Sequence, residues 1–157
     1  MKQILNDILA SSQFEEGVAW KRVYYNAGDK IIEKDEIGNS IFLVEDGCVR
    51  VFGIADLEKD VKVSPSLCDL EKGSIFGDIC LYSSHRRTAT VRALTNVNIL
   101  EIRSDLLSAY LDGHPEVGYL FLKELFEIMA TRLETAGDRI EKLLAWGIKA
   151  HDIDKYL

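Results

Sequence analysis

Apolar residues recur along this chain with two different periods. From Lys2 to about Trp20, the residues Ile4, Leu5, Ile8, Leu9, Phe14 and Val18 fall at helical intervals, which predicts a helical lead-in over residues 1–20. The runs then shorten. Val23-Tyr24-Tyr25, Lys30-Ile31-Ile32-Glu33, Ser40 to Val44, Cys48 to Phe52, Val61-Lys62-Val63, Leu67 to Leu70, Thr88 to Ala93 and Val97 to Ile102 are β-branched or aromatic stretches, and about eight such strands at close spacing predict a barrel or jelly roll. Asn26-Ala27-Gly28-Asp29, Gly38-Asn39 and Asp46-Gly47 separate the earlier runs. Each is expected to close a hairpin, Asp-Gly most strongly, in an antiparallel meander.

The marked interruption runs from Phe76 to Arg87. From His114-Pro115-Glu116 the helical period returns, with Leu122, Leu125, Met129, Leu133, Ala136, Ile140 and Leu143 stepping by threes and fours along one long helix. Pro115 suits its first turn, where a missing N–H costs nothing. The expected organisation is a single domain over 1–157, mainly β with flanking helices. It has a lead-in at 1–20, a β-roll at 21–103 containing the interruption, and a helical region at 104–157. There is no internal repeat, low-complexity tract or linker.

Charge and composition narrow the function classes. With 26 acidic against 19 basic residues the formal charge is −7, which repels a polyanion and argues against a nucleic-acid clamp. The amino terminus lacks an uninterrupted apolar core, and no stretch approaches the ~18 apolar residues of a spanning helix; no membrane and a cytoplasmic location are expected. Cys48, Cys68 and Cys80 form neither an even set nor a C-x-x-C pair, so small apolar residues in a reduced protein are expected rather than a metal site. The histidines His85, His114 and His151 show no spacing that joins them to a nucleophile or to a metal cluster. No enzyme and no metal are therefore expected.

The interruption carries the chemistry. In Phe76-Gly77-Asp78-Ile79-Cys80-Leu81-Tyr82-Ser83-Ser84-His85-Arg86-Arg87-Thr88-Ala89-Thr90-Val91-Arg92-Ala93, a glycine precedes a short helical turn whose first N–H groups have no partner within the turn. That is an anion site. Arg87, nine residues after Asp78, can close on the same point with a guanidinium that binds phosphate in two-pronged fashion. Asp78 cannot usefully face a phosphate, but it can accept hydrogen bonds from a neighbouring sugar hydroxyl. Sugar and phosphate together mean a nucleotide.

Over residues 20 to 145 the chain resembles the cyclic nucleotide-binding domain family, of the catabolite activator protein and protein kinase A regulatory-subunit type. Two motifs carry the likeness. Ile31 through Val51 is similar to the family's opening strands, and the segment 76–93 is similar to its phosphate cassette, F-G-E-x-A-L-x-x-x-x-x-R-x-A-x-V-x-A. The resemblance implies an antiparallel β-roll of jelly-roll topology, a double-stranded β-helix. It implies that the backbone around Gly77, Ile79 and Cys80 holds a cyclic phosphate, that Arg87 neutralises it, and that Thr88 and Ala89 add contacts. Asp78 would take the ribose 2′-hydroxyl, and Leu70 and Cys68 would wall the base pocket. The helix hydroxyls that reach the base in the activator proteins match Ala136 and Gly137 here, with Thr135 one step away.

The family usually has glutamate where this chain has Asp78. The missing methylene withdraws the carboxylate by roughly 1.5 Å, which stretches a ~2.8 Å hydrogen bond into one that needs a bridging water. Asp35 replaces a turn glycine, and Asp tolerates the left-handed region better than most residues. The ligand implied is cyclic AMP by family frequency, with cyclic GMP open. The output implied is a shift of the carboxy-terminal helix, which in the family pairs with its twin or folds down as a lid, with Gly137 as the expected flex point. No DNA-reading helix-turn-helix is expected after that helix, so the signal would pass through a homodimer or an effector protein. The competing reading keeps the fold without the ligand, as a dimerisation or partner-docking surface.

Overall fold

The structure is a computed structural model that describes residues 1–53, 55–57, 61–82 and 86–150. Its described residues fall into two compact units, Met1–Gly118 and a second one that starts at Tyr119. In chain order the first unit contains helix α1 (Lys2–Leu9), strands β1 (Trp20–Tyr25), β2 (Lys30–Ile32), β3 (Ser40–Asp46), β4 (Cys48–Phe52), β5 (Ala55–Leu57), β6 (Val61–Val63), β7 (Ser66–Glu71), β8 (Ile75–Phe76), β9 (Thr90–Ala93) and β10 (Val97–Arg103), and helix α2 (Ser104–Gly113). Helix α3 (Pro115–Ala150) begins there and supplies the second unit.

The strands form two four-stranded antiparallel sheets, β1-β10-β3-β8 and β2-β9-β4-β7, and β5 pairs with β6 in a separate hairpin. The antiparallel β-roll with a helix at the amino end and a long helix at the carboxy end is therefore the observed architecture. The meander is not. Asp46-Gly47 lies between β3 and β4, yet β3 pairs with β10 and β8 while β4 pairs with β7 and β9. The turn is a corner between sheets rather than a hairpin. Gly47 sits at φ 86°, and a Cβ there would come within 2.4 Å of the Asn96 carbonyl oxygen, so glycine meets both a conformational and a spatial demand. Asn26 to Asp29 is likewise a corner from β1 to β2, and the β9–β10 connection is a third. The corners are tied together: Gly28 N–H donates to the Ala93 carbonyl (2.8 Å), Ala27 N–H to Asn96 Oδ1 (3.1 Å) and Cys48 N–H to Thr95 Oγ1 (3.0 Å).

The inner faces of the sheets meet in a cluster of Ile32, Phe42, Val44, Val49, Phe76, Val91, Ala93, Val97 and Ile99. Ile41 and Leu43 alternate with Phe42 and Val44 along β3 and are buried too, because the other face of the first sheet is covered where α2 packs on β10.

Two expectations about local structure change. The lead-in helix ends at Leu9 rather than near Trp20. Ser11 and Ser12 favour turns over propagation, Gly17 takes φ 84°, and Phe14 is buried with its carbonyl accepting the Trp20 indole N–H at 3.0 Å; Val18, expected on an apolar helix face, is exposed. The last cassette strand begins at Thr90 rather than Thr88, because the backbone at Arg86 and Arg87 is engaged by the loop before β3, as described below.

Helix α3 runs 36 residues without a break at Gly137, about 54 Å at 1.5 Å per residue. Within the second unit Leu125 is buried, whereas Tyr119, Leu122, Phe126, Met129, Leu133, Ile140 and Leu143 are exposed. Their steps of three, four and seven match the first and fourth positions of a heptad. Among the described residues no helix is long and apolar enough to cross a membrane.

Candidate functional site

The cassette begins where β8 stops. Gly77 takes the left-handed conformation (φ 72°) and leads into a short 3-10 turn, Asp78–Cys80. The turn closes through Cys80 N–H to the Gly77 carbonyl (3.2 Å) and Leu81 N–H to the Asp78 carbonyl (3.0 Å). Amides at the start of such a turn have no acceptor inside it, and their partial positive charge favours an anion. Asp78 is half-buried at the start of the turn, Ile79 is exposed and Cys80 is buried.

Arg87 points into this turn. The residue is 8% exposed; Nη2 donates to the Ser40 carbonyl (2.9 Å), and Nη1 to the Gly77 carbonyl (3.3 Å) and to Cys80 Sγ (3.4 Å). The guanidinium carbon lies 5.3 Å from the centroid of the Phe42 ring, which stacks on Phe76 at 5.0 Å. Among the described residues no carboxylate lies within ion-pair distance of Arg87, although seven other ion pairs do form among them. Carbonyl dipoles and an aromatic face offset part of the cost of burying a cation. They leave its full charge unneutralised, so an anion entering beside the turn gains a charge-assisted contact.

The loop before β3 holds the arginine's backbone. Asp35 N–H donates to the Arg87 carbonyl (2.8 Å), Arg87 N–H donates to the Glu36 carbonyl (2.8 Å), and Ile37 bridges to Arg86. Asp35 sits at φ 71°, the left-handed position its short polar side chain tolerates. This anchoring ends the extended pairing of 86–87 before β9 and puts Thr88, which is exposed, and Ala89, which is half-buried, in a bend.

Arg87 thus meets Gly77 and Cys80, and Asp78 and Ile79 lie in the turn between those two. Leu70 and Cys68 lie on β7 opposite Val49 and Val51; Leu70 packs against the inner cluster, and Cys68 is half-buried at the same side-chain parity. Asp69 between them faces outward, where hydrogen bonds from Arg50 hold its carboxyl below the usual carboxylate range. Of the cysteines only Cys80 is buried; Cys48 and Cys68 are intermediate, and burial with neighbouring acidic groups pushes the Cys48 thiol up. Thr135 belongs to the second unit, where its hydroxyl donates to the Thr131 carbonyl at 2.9 Å. Ser83, Ser84, His85 and His151 lie outside the described residues. His114 stands between α2 and α3, its Nδ1 2.8 Å from the Tyr110 carbonyl.

Gly38, Ser40 and Phe42 are the site neighbours that sequence reasoning missed. They fall within the opening-strand motif, and nothing local to them signals contact with a residue nearly fifty positions away. An open cleft of about 460 Å³ is lined by Trp20, Lys21, Ser40, Glu101 and Arg103 among others. It contains none of the predicted site residues. Its carboxylate is engaged by Lys21 (3.1 Å) and by the Ser40 hydroxyl (3.0 Å), and Arg103 is paired with Asp105.

Residues 22–114, more than half of the chain, match the family model described as the cyclic nucleotide-binding domain. The chain belongs to that family. The domain is 31% identical over 119 residues to the human cyclic nucleotide-gated channel beta-3, which covers 74% of this chain and 14% of the channel. The mouse hyperpolarization-activated cyclic nucleotide-gated channel 2 is 31% identical over 121 residues, 76% of this chain and 12% of the channel. The domain therefore spans only about one seventh of the length of the channel relatives. Among solved structures, a cyclic nucleotide-binding domain from Methylobacillus flagellatus superposes with a TM-score of 0.68 at 19% identity, over 78% of this chain and 66% of that one. The catabolite activator protein of Thermus thermophilus gives 0.61 at 23% identity, over 85% and 63%. These two likenesses establish the β-roll fold.

Proposed function

We propose that this domain is a regulatory module that binds a cyclic nucleotide, cyclic AMP in preference to cyclic GMP, and passes the event on through helix α3. One observation carries the reading: a buried guanidinium, aimed at the opening of a helical turn, with carbonyls and a ring around it but no carboxylate among the described residues. The singly charged phosphate of a cyclic nucleotide is the anion that site suits. Arg87 and the backbone around Gly77, Ile79 and Cys80 hold the phosphate, with Thr88 and Ala89 beside it. Asp78 accepts a hydrogen bond from the ribose hydroxyl, directly or through water. Leu70 and Cys68 flank the base, and Thr135 is the helix hydroxyl nearest the family position.

Ligand alters the helix only by binding one of its arrangements better than the other. The exposed apolar heptad from Tyr119 to Leu143 supports an output through self-association, α3 against the α3 of a second copy. Isothermal titration calorimetry with both nucleotides tests the ligand. Wild type is expected to bind cyclic AMP and the Arg87→Ala variant to lose binding while keeping its fold; unchanged binding by the variant would refute the site. For the helix, sedimentation of wild type should show a dimer that Leu133→Glu with Ile140→Glu converts to monomer, and a monomeric wild type removes this output.

The reading without ligand, a docking scaffold on the same fold, is favoured by Asp78, one methylene shorter than the usual glutamate, and by the same exposed stripe. A thermal-shift panel separates the two, since a ligand at 100 times its Kd adds about 2.7 kcal/mol of stability.

A further inference from the structure

We propose that Gly38 is the positioning residue of this site, and that it is glycine because the side chain of Arg87 occupies the space a Cβ would need. The inference rests on the reading of Arg87 as the phosphate-binding group. A glycine is required either by its backbone conformation or by its lack of a side chain, and the structure separates the cases. Gly28, Gly47, Gly73 and Gly77 all have positive φ, whereas Gly38 does not. Its backbone is open to any residue. Space is what it lacks: an added Cβ would lie 2.1 Å from Arg87 Nε, 2.3 Å from Cζ and 2.7 Å from Nη2.

Gly77 is a second glycine neighbour: an added Cβ there would lie 2.7 Å from Nη1. The planar group thus lies close to two glycines. Phe42 supplies an aromatic neighbour, and the Ser40 and Gly77 carbonyls are its acceptors. The same loop grips the arginine at its other end, since Asp35 and Glu36 hold the Arg87 main chain. Both ends of the side chain are referred to one loop, and this sets the direction in which the fork presents itself to the turn.

The three atoms nearest to an added Cβ at Gly38 all belong to the far end of a flexible side chain, not to backbone. Gly38→Ala therefore leaves the main chain in place and expels the guanidinium from its position. A generic packing glycine would damage the fold whether or not an arginine were present; a positioning glycine matters only through Arg87. The two are distinguished by non-additivity.

The test is a double-mutant cycle on wild type, Gly38→Ala, Arg87→Ala and the double variant, read by urea denaturation and by calorimetry with cyclic AMP. Gly38→Ala is expected to weaken nucleotide binding by about tenfold or more and to lower stability, and neither effect is expected when Arg87→Ala is already present. Should Gly38→Ala fail to fold, restoration of folding in the double variant supports the proposal. An equal loss of stability, or a failure to fold, in both backgrounds overturns it, and so does wild-type affinity in Gly38→Ala. If wild type binds neither cyclic nucleotide, the ligand assignment fails while the denaturation cycle still decides whether Gly38 acts through Arg87.

Discussion

Two arginines in the first unit show how differently one side chain can be used. On the outer face of the second sheet, Arg50 reaches across from β4 to Asp69 on β7, with both nitrogens of its fork engaged at 2.6 and 2.7 Å and both partners open to water. Arg87 is buried, gripped by carbonyls, and has no carboxylate among the described residues. The first arginine has its countercharge built in, and solvent screening leaves the pair worth little. The second is held in place but electrostatically incomplete, and incompleteness in a water-poor slot is what gives an incoming anion a large share of its binding energy. A protein that needed only stability from Arg87 would be better served by an apolar residue.

The contrast can be broken from either side. The largest effect is expected for Arg87→Ala, a loss of about a hundredfold in cyclic nucleotide affinity by calorimetry, against no loss for Arg50→Gln. Equal effects would mean that charge near the roll, rather than this slot, attracts the ligand. Asp78→Glu should sharpen the site in the opposite direction, tightening cyclic AMP binding by about tenfold by restoring direct contact with the sugar hydroxyl; weaker binding would remove Asp78 from the ribose. The smallest effect belongs to the surface pair. Because Arg50 depresses the Asp69 pKa in the folded state, the pair stabilises above the ordinary carboxylate range near ~3.9 and its contribution vanishes as pH falls through the depressed value. An NMR titration should show the Asp69 midpoint below that range and its return on Arg50→Gln, with little change in stability at neutral pH.

What could be read from the sequence divides along the same line as local and distant interactions. Strand positions follow from β-branched runs, and most strands lie within a residue or two of expectation, because alternation and turn chemistry act over a few residues. Asp46-Gly47 shows the limit: its backbone demand is local and legible, but whether the flanking strands pair with each other depends on β10, some fifty residues downstream. β8, Ile75–Phe76, is only two residues long and merges with the start of the interruption. In the site, Gly77, Asp78 and Arg87 could be picked out because glycine, carboxylate and guanidinium stand at a recognisable spacing. Gly38 could not, since its conformation is ordinary and its reason is a side chain from another part of the chain. The apolar stripe on α3 is legible from its steps of three and four, but Leu125 within it is buried while Tyr119 and Phe126 outside it are exposed, and periodicity alone does not say which face will be buried.

The pairing of β1 with β10 joins Trp20 to Ile102 and makes the roll a late-closing structure. Until the chain has been made through Arg103, β1 has no neighbour and β3 lacks the strand that separates the two. Closure over so long a stretch of chain is slow compared with forming a local hairpin. In that interval two strand edges are open to any other unfinished chain. Yield on expression and refolding should therefore depend on protein concentration and temperature more steeply than the finished core would suggest.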